Sequence, residues 1–336
     1  MKAYKIILII CLFLALLLIS CREKAEEITQ PTVNAGSQEA SDTTITQVFK
    51  LPVEMPKKPV IVFSSDRTGD SELYYMSIDG GNVVQVTSSE NANYHPRFSP
   101  DGSKLVFAST RDSDYSEIYL MDVDGTDVAR LTKNEVSDDD PYFSPDGSKI
   151  FYTSVAAEEE NQTGPPKSSI YRINIDGSNQ VIVKDDPNGN YSDYDPIISP
   201  DGLKLLFSSP RTYDDEIYIM DIEGSLPTNL TNTEGWDGRP SFSPDGSKIV
   251  FSSGRKGNGE TADIYIMNSD GTDVKRLTNS LTWNTDPYFS PDGLKIAFSS
   301  KKDDIADIFV MDANGKNVVQ LTKNAGTNYY PRFSSE

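Results

Sequence analysis

A closed, six-bladed β-propeller of four-stranded antiparallel blades is the all-β fold that this sequence predicts, and three observations predict it. First, a short strand running into a turn, Pro96-Arg97-Phe98-Ser99-Pro100-Asp101-Gly102, recurs with anchors at Phe98, Phe143, Ile198, Phe242, Phe289 and Phe333, at intervals of 45, 55, 44, 47 and 44 residues. Self-similarity at that period, with room for four strands per unit, points to propeller blades. Second, a hairpin signal appears once in each unit, at Asp79-Gly80, Asp124-Gly125, Asp176-Gly177, Glu223-Gly224, Asp270-Gly271 and Asn314-Gly315. Third, the repeat region begins with a unit that lacks its first strand and ends with a first strand that lacks its unit.

The chain opens with Lys2 and Lys5 ahead of an apolar run from Ile6 to Ile19, a charged n-region and an h-region of signal-peptide length. The run is short for a membrane span. It ends Leu18-Ile19-Ser20-Cys21, which resembles the bacterial lipobox, in which the Cys is lipidated and becomes the first mature residue. Residues 1–20 are therefore expected to be a lipoprotein signal peptide and Cys21 a lipid anchor. An ordinary signal peptide or signal anchor with an incidental Cys is the other reading. Several acyl chains hold durably where one is marginal, at about 0.8 kcal/mol per buried methylene. Arg22, rather than Asp, follows the Cys, and in bacterial lipoproteins this resembles the default route to the outer membrane. Residues 21–58 are polar, unpatterned and dotted with Pro31, Pro52 and Pro56, and read as a flexible tether.

Residues 59–336 are expected to be the propeller. One unit, Arg239 to Thr278, shows the logic. Pro240-Ser241-Phe242-Ser243 is the first strand, and Ser243-Pro244-Asp245-Gly246 has the residue preferences of a type I turn. Lys248-Ile249-Val250-Phe251-Ser252 is a continuous apolar run, which suits a strand sandwiched between neighbouring blades. After a polar loop, Asp263-Ile264-Tyr265-Ile266-Met267 is the third strand. Asp270-Gly271 predicts a tight hairpin of the primed type, and Val274 to Thr278 alternates as a half-exposed outer strand. The unit ending at Val183-Lys184 lacks the usual Leu-Thr and carries a Glu-rich insertion from Val155 to Ser168, which reads as a loop. At the seam, Tyr330-Pro331-Arg332-Phe333-Ser334 is expected to supply the innermost strand of the unit that begins Val60-Ile61-Val62-Phe63-Ser64, closing the ring and leaving no open edge.

The pattern Pro-x-Phe-Ser-Pro-Asp-Gly, Lys-Ile-x-Phe-Ser-Ser, Ile-Tyr-x-Met-Asp, Asp-Gly, Leu-Thr resembles the WD-repeat-like propeller repeats of the TolB family over residues 59–336. The resemblance implies the propeller fold and a role in protein–protein contact within the cell-envelope Tol-Pal system. The chain departs from that family in two respects: a lipid signal and tether stand where TolB carries an α/β domain, and TolB is soluble rather than lipidated.

Composition narrows the chemistry. There are 31 Lys+Arg against 51 Asp+Glu, and removing Lys2 and Lys5 leaves 29 against 51, a mature charge of −22. Such acidity argues against nucleic acid and suits cations or basic partners. The two cysteines, Cys11 and Cys21, both precede the repeats, so no disulfide framework or Cys-ligated metal site is available there. With one His, His95, and no Gly-x-Ser-x-Gly elbow, the sequence carries no catalytic signature. His95 adjoins a strand-opening Pro and reads most simply as a polar loop residue.

The residues immediately before the strand-opening prolines are His95, Asp140, Asp195, Arg239, Asp286 and Tyr330, with Asp139 and Asp193 close by. If first strands line the channel, these gather at one mouth. Carboxylates so gathered either raise one another's pKa or recruit a hard cation, making Asp140, Asp195 and Asp286 a candidate Ca²⁺ site. The alternative is that they cap turns or point between blades. Trp236 and Trp283 each lie four residues before a strand proline in adjacent units, so their side chains should flank one another. Tyr94, Tyr191, Tyr194, Tyr329 and Tyr330 belong to the same loop set. Such an aromatic rim suits stacking on a glycan or anchoring a peptide; equally, the Trp rings could pack inward as staples between blades. Asp122 to Gly125 and Asp185 to Gly189 lack the full calcium-loop spacing and read as hairpins. Arg67, Arg111, Arg211 and Arg255 each follow a second strand and read as solvated or paired with acidic loops.

These residues make a lipid-anchored, envelope-facing propeller the expected product, a non-catalytic scaffold on the periplasmic face of the outer membrane or the outer surface. It would hold a protein, peptide or glycan across the rim formed by Trp236, Trp283, Tyr94, Tyr191, Tyr194, Tyr330, His95 and Arg239. The alternative is a Ca²⁺-dependent saccharide lyase or lactone hydrolase at the acidic mouth.

Overall fold

The computed structural model describes residues 59–155, 167–184, 191–224, 227–255, 261–323 and 325–335. The signal peptide, Cys21, the tether, most of the Val155–Ser168 insertion and the Asp185–Gly189 motif lie outside the described residues.

Among the described residues, twenty-four strands follow in chain order. They are β1 (Val60–Thr68), β2 (Asp70–Ser77), β3 (Val84–Gln85), β4 (Asn93–Phe98), β5 (Lys104–Ser109), β6 (Glu117–Asp122), β7 (Ala129–Arg130) and β8 (Asp138–Phe143). Next come β9 (Lys149–Val155), β10 (Ser168–Asn174), β11 (Val181–Lys184), β12 (Tyr194–Ile198), β13 (Lys204–Ser209), β14 (Glu216–Asp221), β15 (Thr228–Asn229) and β16 (Asp237–Phe242). The last are β17 (Lys248–Ser253), β18 (Asp263–Asn268), β19 (Lys275–Arg276), β20 (Trp283–Phe289), β21 (Lys295–Lys302), β22 (Ile305–Asp312), β23 (Val319–Gln320) and β24 (Asn328–Phe333). They form six antiparallel four-stranded sheets, and in five of them the order follows the chain. The sixth is β24-β1-β2-β3, so the last strand completes the first blade as the two ragged ends predict.

The seam is a full ladder. Ile61 lies opposite Phe333, Val62 opposite Arg332, Ser64 opposite Tyr329 and Ser65 opposite Asn328. Ser334 extends it, its N–H donating to the Val60 carbonyl at 2.8 Å while its Oγ accepts from the Val60 N–H at 3.0 Å. The six first strands contact one another in sequence around the ring, β24 to β4, β8, β12, β16, β20 and back to β24.

Each second strand is buried on both faces because it serves two interfaces. Val60 and Val62 pack with Leu105, Phe107 and Tyr119 of the second blade. Ile61 and Phe63 point the other way, onto Ala297 and Ile308 of the sixth. Alternation along a strand thus becomes alternation between neighbouring blades. That is why the sequence reads as an unbroken apolar run.

The turns hold one agreement and one correction. Ser99-Pro100-Asp101-Gly102 closes through the Gly102 N–H to the Ser99 carbonyl at 2.8 Å. The Asp-Gly hairpin, however, is not of the primed type. A type I′ turn needs positive φ at both central residues, whereas in Asp124-Gly125 only Gly125 has it, at +82°. The Gly125 N–H bonds to the Asp122 carbonyl at 2.9 Å, and a second left-handed residue, Asp127, follows at φ +52°. The longer loop leaves the outer strand only two residues in most blades. It also carries the glycine against the preceding blade: a Cβ on Gly80 would stand 2.7 Å from the Leu321 carbonyl oxygen of the last blade.

Candidate functional site

Each first strand contains a bulge where it meets its proline. The ladder register shifts between Tyr94 and Arg97, Asp139 and Tyr142, Tyr194 and Ile197, Gly238 and Ser241, Thr285 and Tyr288, and at the equivalent step in β24. At every bulge the residue before the proline is left-handed: φ is +52° at His95, +49° at Asp140, +55° at Asp195, +53° at Arg239, +56° at Asp286 and +58° at Tyr330. Positive φ is uncommon outside glycine, and Asp and His tolerate it better than most residues. The bulge re-aims one side chain per blade, and these six converge.

His95 is buried, 8% exposed, which corrects its reading as a loop residue. Its Nδ1 lies 2.5 Å from Asp139 Oδ1 and 3.1 Å from Asp140 Oδ1. Tyr330 meets the imidazole edge-on with ring centroids 3.9 Å apart. Burial disfavours a charged imidazole, but the Asp139 and Asp140 carboxylates outweigh it and raise the His95 pKa. Arg239 reaches across from the fifth blade. Its Nη1 is 3.0 Å from Asp140 Oδ1 and 2.7 Å from Asp195 Oδ1, and its Nε is 3.7 Å from Asp286 Oδ1. Burial opposes the guanidinium charge, yet Asp195, Asp140 and Asp286 overcome it and hold the pKa well above its ordinary value. Burial also raises the Asp195 and Asp286 carboxyls, with Arg239 acting against it.

The mouth is therefore one connected charge cluster. The positive charge that Asp140, Asp195 and Asp286 require comes from Arg239. A Ca²⁺ ion shared by those three would take the guanidinium's place. A second ligand set, His95, Asp139 and Asp140, brings its donor atoms within 4.8 Å of one another.

Outside the mouth the expected rim divides. Trp236 and Trp283 stack on each other, centroids 5.1 Å apart and planes 21° off parallel, both half-buried. The Trp236 indole also lies over Gly254, whose missing Cβ leaves room for it. Beside the pair, a groove is lined by Leu281, Thr282, Trp283, Lys301, Lys302, Asp303 and Tyr329. Leu281 is 94% exposed, Tyr213 is fully so, and Tyr191 stands partly clear. Tyr94 and Tyr194 instead turn inward, beside Ser116 and Asp215, and burial raises both phenol pKa values.

Sequence reasoning missed a latch repeated around the ring. The Thr of each Leu-Thr accepts from the third strand and donates to a carboxylate at or near the start of that strand. Thr132 Oγ1 accepts from the Ile118 N–H at 2.9 Å and donates to Glu117 at 2.6 Å, and Thr322 does the same with Ile308 and Asp307. The recurrence of Glu or Asp fifteen residues before each such Thr was the available signal. The four arginines are paired rather than solvated, two with carboxylates as one of the two readings expects and two with Asn side chains. Arg111 donates to Asn93 Oδ1 at 2.6 Å and stacks on Phe107 and Tyr119. Arg67, Arg211 and Arg255 repeat this on Asn328, Asp193 and Asp237. They tie the first strand to the second.

Asp138 occupies the same place in the third blade, with no Lys or Arg partner among the described residues. Burial raises its pKa to about 6. A carboxyl raised from 3.8 stabilises the fold fully in acid and loses that contribution as pH climbs through 6. Asp138→Asn is thus expected to raise stability above pH 6, by up to about 3 kcal/mol, and to change nothing near pH 4. Thermal melts at the two pH values check it.

Residues 84–192, 167–278 and 258–336 match the family model described as the TolB beta propeller domain. A "Protein TolB homolog" of Chlorobium luteolum is 30% identical over 162 residues, which is 48% of this chain and 34% of that protein. The chain's match thus spans about a third of that relative's own length. Among solved structures, TolB from Acinetobacter baumannii aligns with a TM-score of 0.68 at 21% identity, covering 82% of this chain and 66% of that one. A putative TolB from Agrobacterium tumefaciens aligns at 0.61 and 24% identity, covering 83% and 99%.

Proposed function

The chain belongs to the family of TolB beta propeller domains, and from that premise we propose that it is a non-catalytic binding scaffold of the bacterial cell envelope, tethered through Cys21. Its partner is a protein or peptide held across the mouth-side rim. The observation that carries this is the stacked Trp236–Trp283 pair, half-exposed beside the exposed Leu281. Large aromatics held in place by their neighbours make strong anchors, because little side-chain freedom remains to be lost on binding. The loops before first strands and those after second strands share one face, since the two strands are antiparallel; Trp283, for instance, lies opposite Lys301. That face therefore surrounds the charged mouth, whose carboxylates favour a partner with basic side chains.

The test is crosslinked capture from envelope extract, comparing the full chain with the Trp236→Ala/Trp283→Ala double variant. Capture is expected to fall at least tenfold while the β circular-dichroism signature is retained. A double variant that melts much earlier yet captures as before would make the pair a staple and end this reading. A partner removed by glycosidase treatment, but not by protease, would turn it toward a glycan.

The second reading, a Ca²⁺-dependent lyase or lactone hydrolase, draws on the carboxylates at the mouth. It requires Ca²⁺ to displace Arg239. Calorimetric titration with Ca²⁺, in wild type and in Arg239→Met, separates it: heat and turnover in the presence of the metal would favour it, and silence in both proteins would dismiss it.

A further inference from the structure

Beneath the mouth lies a second tier, formed by the residue after each strand proline. Around the ring from the first blade to the sixth it reads Arg332, Arg97, Tyr142, Ile197, Ser241 and Tyr288. Tyr142 and Tyr288 come from opposite blades, and both rings lie within reach of the Arg97 guanidinium. Blades one and two bring their two arginines to the tier, whereas Ile197 packs into the core with Leu206, Phe242 and Phe251 and Ser241 is buried.

Both guanidiniums lie against these rings. Arg97 is 4.7 Å from the Tyr142 ring and 5.5 Å from that of Tyr288, and Arg332 is 4.9 Å from Tyr288. Neither is ion-paired among the described residues. Arg332, 7% exposed, donates from Nη1 to the backbone carbonyls of Asp286 and Pro331 at 3.3 and 2.8 Å, while its Nε has no partner. Arg97 Nη1 is likewise buried without one. Asp286 supplies an attractive field at Arg332, but its carboxylate faces Arg239. Two like charges are thus enclosed together in an acidic protein, each with an unmet donor. Aromatic faces and carbonyls offset part of that cost, yet buried donors and charges ordinarily find full partners.

We propose that a small monovalent anion, of halide or formate size, binds between Arg97 and Arg332, where the first strands of blades one and two meet. It must be small, because both orphan N–H groups are closed to solvent and the two side chains have to part slightly to admit it. Arg332 stands on β24 and Arg97 on β4, so the anion would tie the closing strand to its neighbour and make the seam depend on it. This does not rest on the partner reading above.

The test follows the melting temperature of the full chain at constant ionic strength, replacing gluconate stepwise by chloride, bromide or formate. A saturable rise of several degrees is expected with the small anions and none with gluconate. Separate chloride and formate arms tell a halide from a carboxylate. The rise should vanish in Arg97→Met and in Arg332→Met, and crystals grown in bromide should show anomalous density between the two guanidiniums. Equal melting in all salts, a response that survives both substitutions, or a bromide response with no bromide peak would overturn the proposal and leave ordered water as the partner. If Arg332→Met does not fold, Arg97→Met and the bromide crystal decide.

Discussion

Removal of residues 329–336 is expected to lower the melting temperature by more than about 15 °C, or to leave the protein insoluble. The deletion takes away most of β24 and leaves the edge of β1, from Val60 to Ser64, unpaired. Phe333 leaves the cluster it forms with Ile61, Phe63, Tyr74 and Met76. Loss of a buried Phe alone costs about 3–5 kcal/mol, and each ladder bond left unmade adds about 1 kcal/mol. In a domain of this size 1 kcal/mol moves the midpoint by about 2–4 °C, so the sum approaches the whole stability of an ordinary fold. Phe333→Ala separates packing from closure and should cost about 10 °C. An unchanged melt for the truncated chain would mean that the ring does not depend on its seam.

The seam was legible in the sequence because it is a matter of counting. A unit without its first strand and a first strand without its unit can be recognised from six copies of one pattern, and backbone pairing asks little of side-chain identity. The placement of His95, Asp140, Asp195, Arg239, Asp286 and Tyr330 on one mouth was legible for the same reason, as equivalent positions share a level of the ring. Their pairing was not. Whether Asp140 meets a cation or Arg239 depends on how far a long side chain reaches across the lumen once the bulge has turned it inward, and the spacing of repeats carries no such information. Arg111 and Glu117 were hidden differently. A residue at the end of a strand reads as exposed, but stacking on Phe107 and Tyr119, or a Thr132 hydroxyl, lets the charged end stay inside. The hairpins failed on chemistry rather than position, since Asp-Gly serves both a primed turn and a type I turn that ends in a left-handed glycine.

Arg239→Met is expected to destabilise the protein by about 2–4 kcal/mol at neutral pH, with the loss shrinking in acid. Breaking a buried ion pair typically costs 3–5 kcal/mol. The Arg239 side chain is about a third exposed, at 34%, so water returns part of that. What remains is the repulsion among Asp139, Asp140, Asp195 and Asp286 around His95 and Tyr330. In the native protein Arg239 acts against the upward shifts of Asp195 and Asp286. Without it those carboxyls rise further above their unfolded values. A group raised in the folded state contributes stability that is complete below the unfolded pKa and disappears as pH climbs through the folded one. His95, whose pKa is also raised and is held down in part by Arg239, moves in the same direction. The difference in melting temperature between wild type and Arg239→Met should therefore be largest at pH 7–8 and smallest near pH 5. Should that difference stay constant across the range, the guanidinium would not be the counter-ion of the mouth, and the carboxylates would have to be neutralised by something else.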